Sequence, residues 1–184
     1  MTYFVVCLSG RIGSGKTSVS AALGSARRAV TASFGAYVRR EAVARGLDAE
    51  QREVLQDLGA ELIAENGHEW LCRQVVATAN WNGDCDLVID GVRHVEVLET
   101  IRRITYPVRT LLVYLALEAE AELGVRAELR GVSSGARADL EQHSTEIDVI
   151  RALPDLADVV VSAENSVEQI VDTINTFLDG QRSN

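Results

Sequence analysis

Lysine is nearly missing from this sequence. Of 18 basic residues, Lys16 is the one lysine and the others are arginine. Proline is almost as scarce, with 2 in 184 residues, so no proline-rich linker divides the chain. The 3 cysteines, Cys7, Cys72 and Cys85, are odd in number and lack C-x-x-C spacing. That excludes a disulfide framework and a thiolate zinc site. Positive charge does not dominate: the formal net charge is −9. General binding of nucleic acid through phosphate neutralisation is therefore not expected, although a small basic pocket for one anionic ligand remains compatible. Long apolar runs are missing too, since stretches such as "TLLVYLAL" are far too short to span a bilayer. The opening "MTYFVVCLSG" has no basic n-region and no small-residue cleavage site, and reads as a strand rather than a signal peptide. A cytoplasmic protein without a membrane partner is expected.

What is present fits one soluble domain over 1–184, with 47% hydrophobic and 24% charged residues. Runs rich in Val, Ile and Leu predict strands at Tyr3–Ser9, Ala29–Phe34, Asp86–Gly91, Arg109–Leu117 and Ala157–Ala163. Continuous apolar strands suit a sheet covered on both faces. Between them lie helical patterns. Val54, Leu55, Leu58, Leu62 and Ile63 mark one face of a helix over roughly 50–66, and Val167, Ile170, Val171, Ile174, Phe177 and Leu178 mark another at the C-terminus. Ser166 and Gln169 have the spacing of a capping box before that last helix. Pro154 is expected to end the helix before the final strand. The alternation predicts an α/β fold: a five-stranded, mainly parallel sheet with helices on both faces.

The first chemistry-bearing stretch is Gly10–Thr17, G-R-I-G-S-G-K-T. It matches G-x-x-x-x-G-K-[ST], the P-loop pattern, between a predicted strand and a predicted helix. Glycines let the backbone approach a phosphate without a Cβ in the way. Successive amides at a helix N-terminus then form an anion nest. The candidate ligands for ATP are Gly10, Arg11, Gly13, Ser14, Gly15, Lys16, Thr17 and Ser18. Lys16 brings a mobile point charge to the β- and γ-phosphates, a role that the planar fork of arginine fills poorly. This accounts for the retention of one lysine in an arginine-rich chain. Thr17 offers a hydroxyl to Mg²⁺. A dinucleotide-binding reading fails, because the glycines are not spaced G-x-G-x-x-G and no acidic residue ends the second strand. A GTPase would need N-K-x-D, for which no second lysine exists. An LSGGQ-like transporter signature is also missing, and the chain is too short for an AAA+ helical lid.

Five further stretches follow: "IDGVR" (Ile89–Arg93), "SFGAYVRREA" (Ser33–Ala42), "VLQDLGAELIAENGHEWL" (Val54–Leu71), "VRAELRGVSSGAR" (Val125–Arg137) and "EQHSTEIDV" (Glu141–Val149). Together with the P-loop they resemble the nucleoside-monophosphate-kinase-like P-loop kinases. Within them the sequence is similar to the phage-type deoxynucleoside monophosphate kinases and the dephospho-CoA kinases. The resemblance implies a P-loop NTPase fold, with an acceptor-binding segment at about 34–82 and a short lid at about 124–140. It implies an ATP- and Mg²⁺-dependent phosphotransferase acting on a nucleotide or nucleotide-like small molecule, a (deoxy)nucleoside monophosphate being the leading acceptor. Under it Lys16, Asp90 and Arg130 are catalytic, and Asp90 joins Thr17 at the metal. Phe34, Arg39, Arg40, Gln56, Arg93 and Arg126 would contact substrate, with Arg137, Trp70, His143 and Glu146 as further candidates.

Two departures stand out. The proline of D-G-x-P-R is missing from "IDGVR", and Glu61, Leu62 and Ile63 stand where an arginine commonly follows the glycine of L-Q-x-L-G. Plainer readings exist beside these roles. Asp90 would cap a helix, and one of Arg39 and Arg40 would be surface, since helical neighbours point about 100° apart. Trp70 would be packing. Arg126 and Arg130 would share a solvated face with Glu122 and Glu128. His68 and His94 form no ligand pattern and are expected at the surface. A kinase for another metabolite or for a base within nucleic acid, and a non-catalytic nucleotide-binding regulator, remain as alternatives. A homodimer is compatible with all of them.

Overall fold

The computed structural model describes residues 2–117, 149 and 151–182. Arg126, Arg130, Arg137, His143 and Glu146, and the lid expected at 124–140, lie outside the described residues. The described elements run β1 (Phe4–Gly10), α1 (Lys16–Arg27), β2 (Val30–Ser33), α2 (Phe34–Ala44), α3 (Arg52–Ala77), β3 (Leu87–Asp90), α4 (Val95–Ile104), β4 (Arg109–Ala116), α5 (Leu153–Leu156), β5 (Val159–Ser162) and α6 (Val167–Arg182). The five strands form one sheet in the order β2-β3-β1-β4-β5. All four pairings are parallel. The chain therefore adopts the expected α/β fold, with every strand parallel.

Strand β1 is buried along its whole length, because helices cover both faces of the sheet. Its side chains alternate between two cores, as the two-residue period of a strand requires. Val5 and Cys7 pack with Leu58, Leu62, Leu71, Val75, Leu98 and Ile101 from α3 and α4. Phe4, Val6 and Leu8 pack with Val19, Leu23, Ile170, Ile174 and Leu178 from α1 and α6. Each fully buried Leu, Ile or Phe contributes about 1.5–3 kcal/mol relative to exposure. Every strand thus ends its run at the same edge, and the loops leaving the carboxyl ends of β1, β2 and β3 converge there. No helix among the described residues is long and apolar enough to cross a membrane.

Local details follow the sequence closely, with three exceptions. The capping box at α6 is closed in both directions: Gln169 N donates to Ser166 Oγ at 3.2 Å and Ser166 N to Gln169 Oε1 at 3.0 Å. Pro154, however, stands in the first turn of the short helix α5. A proline lacks only an amide that the first turn leaves unsatisfied anyway, so it opens this helix instead of ending one. The helix expected over 50–66 continues past a break at Gly67 (φ 82°, ψ 162°) as far as Ala77. Strand β2 stops at Ser33, whose hydroxyl accepts from Ala36 N at 3.2 Å and so starts α2 at Phe34.

Candidate active site

The Gly10–Thr17 loop joins β1 to α1 at the carboxyl edge of the sheet. Gly10 has φ 144°, and a Cβ there would lie 2.6 Å from the Leu115 carbonyl oxygen and 2.9 Å from Ser14 Oγ. The central strands are therefore close enough at this point to admit only glycine. Helix α1 has no side-chain cap and no acidic residue in its first turn. By contrast, α2 and α6 have side-chain oxygens on their first amides. The N-terminal amides of α1 and the positive end of its dipole thus face the loop without a competing side-chain oxygen, which suits a phosphate. Lys16 Nζ donates to the carbonyls of Gly10 (2.5 Å) and Arg11 (2.8 Å) and to Ser14 Oγ (3.3 Å). The ammonium is held over the loop, beside where bound phosphates would lie.

Asp90 ends β3, paired in register with Leu8 of β1. Its carboxylate is buried, and its Oδ2 accepts from Thr17 Oγ1 at 3.0 Å. The two residues proposed for a metal from sequence are thus in direct contact. Asp90 caps no helix; α4 begins after His94 instead. A hydroxyl and a carboxylate are hard oxygen donors, and Mg²⁺ is typically held by one or two protein oxygens plus phosphates and water. The donor set fits Mg²⁺: Thr17 and Asp90 would hold it, and it would neutralise charge on the phosphates.

Beside these groups opens a cavity of about 370 Å³. Lys16, Thr17 and Asp90 form one side. Phe34 and Arg39 of α2, Gln56 of α3 and Arg93 of the loop after β3 face it as well. The structure therefore brings these four substrate candidates together. Arg40 lies elsewhere: its guanidinium sits 5.1 Å from the centre of the Tyr37 ring. It lines a second cavity of about 280 Å³, which also reaches Thr17 and Asp90. Trp70 packs edge-on against Tyr37, with ring centres 6.4 Å apart, and does not line the cavity. Ser18 is exposed in the first turn of α1, next to Thr17. Gly10, Arg11, Gly13, Ser14 and Gly15 build the loop itself.

Two lining residues were not legible. Arg52, the first residue of α3, lines the cavity; nothing in its sequence neighbourhood marks it. His94, expected at the surface, is half-buried on the cavity wall, with its ring edge-on to His68 at 5.9 Å. The break at Gly67 places His68 opposite the start of α4, which explains the difference. Burial draws the Arg93 guanidinium down to about 10; Arg52 adds to this and Asp90 opposes it. Arg93 stays cationic at neutral pH but is held at an electrostatic cost.

A scan against protein-family models gives no match, and neither does a comparison with curated proteins. Solved structures do match over nearly the whole chain. A putative kinase from Chloroflexus aurantiacus is similar at a TM-score of 0.63 and 19% identity, covering 96% of this chain and 99% of that one. The APS kinase CysC of Mycobacterium tuberculosis, solved with AMPPNP and APS, gives 0.62 at 16% identity, covering 97% and 98%. Shikimate kinase from Aquifex aeolicus gives 0.60 at 17% identity, covering 97% and 98%. The fold is that of the P-loop kinases.

Proposed function

We propose that this chain is an ATP- and Mg²⁺-dependent phosphotransferase acting on a nucleotide or nucleotide-like small molecule, with a (deoxy)nucleoside monophosphate as the favoured acceptor. The observation that carries the reading is the contact between Thr17 and Asp90 at the junction of the phosphate loop and the 370 Å³ cavity. A donor on the loop and an acceptor in the cavity would meet at that junction. Phosphoryl transfer needs alignment and charge neutralisation more than covalent chemistry. Lys16 and Asp90 are assigned to catalysis, and Phe34, Arg39, Gln56 and Arg93 to the acceptor. Arg130 and Arg126, outside the described residues, are proposed as closing arginines. The segment at about 34–82 is assigned to acceptor binding and that at about 124–140 to a lid, in the cytoplasm.

The structural neighbours support the reaction class, since they are kinases. They also favour a second reading, in which the acceptor is a metabolite unlike a nucleotide, such as shikimate or gluconate. ADP release from ATP·Mg²⁺ separates the two. The acceptor panel comprises ribo- and deoxynucleoside monophosphates, dephospho-CoA, nucleosides, shikimate and APS, with Lys16→Ala as control. Acceptor-dependent ADP from a monophosphate is the expected result. Turnover with shikimate alone selects the second reading, turnover with APS alone keeps a nucleotide-like acceptor but not the monophosphate, and tight ATP binding without any turnover selects a nucleotide-binding regulator.

A further inference from the structure

Asp86 stands just ahead of β3, at the amino edge of the sheet, far from the phosphate loop. Its Oδ1 accepts from Phe4 N at 2.8 Å, and its Oδ2 accepts from Arg27 Nε at 2.7 Å. Phe4 is the first residue of β1 and Arg27 is the last of α1. The unit that carries the phosphate loop therefore leaves Asp86 along β1 and returns to it along α1. Asp90, at the other end of the same strand, meets the loop end of that unit through Thr17. From Thr17 to Arg27 the helix rises about 15 Å, and from Asp86 to Asp90 the strand advances about 13 Å. Helix α1 thus runs antiparallel to β3 and is bonded to it at both ends, Arg27 to Asp86 and Thr17 to Asp90.

The far contact allows little freedom. Both side chains of the Arg27–Asp86 pair are buried, at 7% and 3% exposure. Arg27 Nη1 also donates to Asn175 Oδ1 at 3.1 Å and to Asp179 Oδ1 at 3.5 Å, both on α6. Arg182 brings a second guanidinium to 3.6 Å from Asp86 Oδ2, and its Nε donates to the Thr2 carbonyl at 3.2 Å. The end of α1 is fixed as well: Arg28 takes the left-handed conformation (φ 53°), and Ala29 N donates to the Gly24 carbonyl at 2.9 Å. Burying two charges costs about as much as their attraction returns, so such a pair adds little net stability over packed apolar side chains. It does fix position, because the hydrogen-bond directions of a guanidinium admit few placements. A slide of α1 by part of a turn would break Arg27–Asp86 and carry Thr17 away from Asp90 by the same amount.

We infer that Arg27 and Asp86 are positioning residues for the metal site. By closing the β1–loop–α1 unit on the strand that ends in Asp90, they set the axial position of α1 and with it the separation of the Thr17 and Asp90 oxygens. The identity of the ligand, a nucleotide with Mg²⁺, rests on the phosphotransferase reading above. Neither residue lines either cavity, so both act through α1. Mg²⁺ tolerates little departure from an octahedron with bonds of about 2.0–2.1 Å. Its binding is therefore the step most sensitive to a shift of Thr17 against Asp90. The nucleotide phosphates, held by loop amides and the flexible Lys16, are less sensitive.

The test is the double variant Arg27→Met/Asp86→Asn, which removes both charges and keeps an oxygen for Phe4 N. Calorimetry measures the affinity for ADP alone and for ADP·Mg²⁺. Hydrogen exchange of the first turn of α1, Lys16–Ser20, is followed in nucleotide-free protein, and urea unfolding gives stability. In the folded double variant, affinity for ADP·Mg²⁺ should fall about tenfold, as on loss of groups that orient metal ligands. Affinity for ADP alone should change far less, and Lys16–Ser20 should exchange faster. Arg27→Lys, which keeps a cation on Asp86, should recover part of the loss. Thr110→Val breaks the Thr105–Thr110 hydrogen bond at the same edge of the sheet and should lower stability without separating the two affinities. If the double variant does not fold, Arg27→Gln, which leaves Asp86 its contacts with Phe4 and Arg182, is held to the same readouts. Two affinities that fall together, or that both stay at wild type, overturn the inference, as does the same split in Thr110→Val. A wild-type protein that binds no ADP overturns the phosphotransferase reading instead; exchange then decides the positioning claim, and an unchanged rate at Lys16–Ser20 overturns it.

Discussion

Thr17 Oγ1 donates to Asp90 Oδ2 across 3.0 Å, joining the first turn of α1 to the carboxyl end of β3. The parallel pairing of β1 with β3 sets this contact, because Leu8 is in register with Asp90 and the loop after β1 then carries Thr17 over the end of the neighbouring strand. Asp90→Asn keeps the size and an acceptor oxygen for Thr17 but removes the charge. The variant should unfold at nearly the wild-type urea concentration. Its kcat should fall by about a hundredfold, and its activity should saturate only at higher Mg²⁺. A Mg²⁺ titration of activity checks both, and an unchanged titration curve would remove Asp90 from the metal.

Lys16 is assigned a role that another cation cannot fill. Its ammonium already bonds to Gly10, Arg11 and Ser14 of the loop, three acceptors around one point charge, an arrangement that a planar guanidinium matches poorly. Lys16→Ala should lower kcat by about two to three powers of ten, as for loss of a transition-state donor. Lys16→Arg should restore little of it. Steady-state ADP release with both variants is the measurement, and wild-type turnover in Lys16→Arg would show that charge alone suffices.

The strands and the phosphate loop were legible because their signals are local. A run such as "YFVVCLS" needs burial on both faces, and the G-x-x-x-x-G-K-T pattern serves one chemistry at one place. Asp90 was legible because a polar residue ending a parallel strand faces the ligand crevice. Arg52 and His94 were not, since their place depends on how α3 and α4 pack against each other on one face of the sheet. The same is true of Trp70, which sequence left between ligand contact and packing, and which its edge-on contact with Tyr37 places in the packing. The extension of α3 beyond Gly67 was missed for a different reason. Glycine with an exposed neighbourhood usually ends a helix, yet here Leu71, Cys72 and Val75 are buried and hold a second helical segment on the same core.

Two glycines should respond differently to alanine. At Gly67 (φ 82°, ψ 162°) a Cβ would meet nothing within 4 Å, so the cost is conformational only. Gly67→Ala should destabilise by about 1–3 kcal/mol. At Gly10 the added Cβ also meets the Leu115 carbonyl oxygen at 2.6 Å, and that atom belongs to a central strand. Gly10→Ala should therefore cost more than Gly67→Ala and should also distort the loop. Urea unfolding of the two variants orders the costs, and the reverse order would contradict this account of the β1–β4 contact.

The buried thiols make stability fall in alkali. Burial pushes the Cys7 thiol far above its usual value of 9.0, with Arg102 opposing and Cys72 and Asp158 adding. Burial likewise pushes Cys72 up to about 12 from 9.0, with Arg103 opposing. The folded chain keeps both protons where the unfolded chain releases them. Below 9 the two states bind the same number of thiol protons, so the contribution is complete; above it the unfolded state binds fewer, and stability is lost as pH rises toward the folded values. The slope approaches about 1.4 kcal/mol per pH unit for each thiol. Urea unfolding between about pH 8.5 and pH 10 should show this decline, before the tyrosines contribute fully. The double variant Cys7→Ala/Cys72→Ala should be less stable at the lower pH, because it loses packed volume, but should have a flatter profile. Equal slopes in the two proteins would place the alkaline loss on other groups.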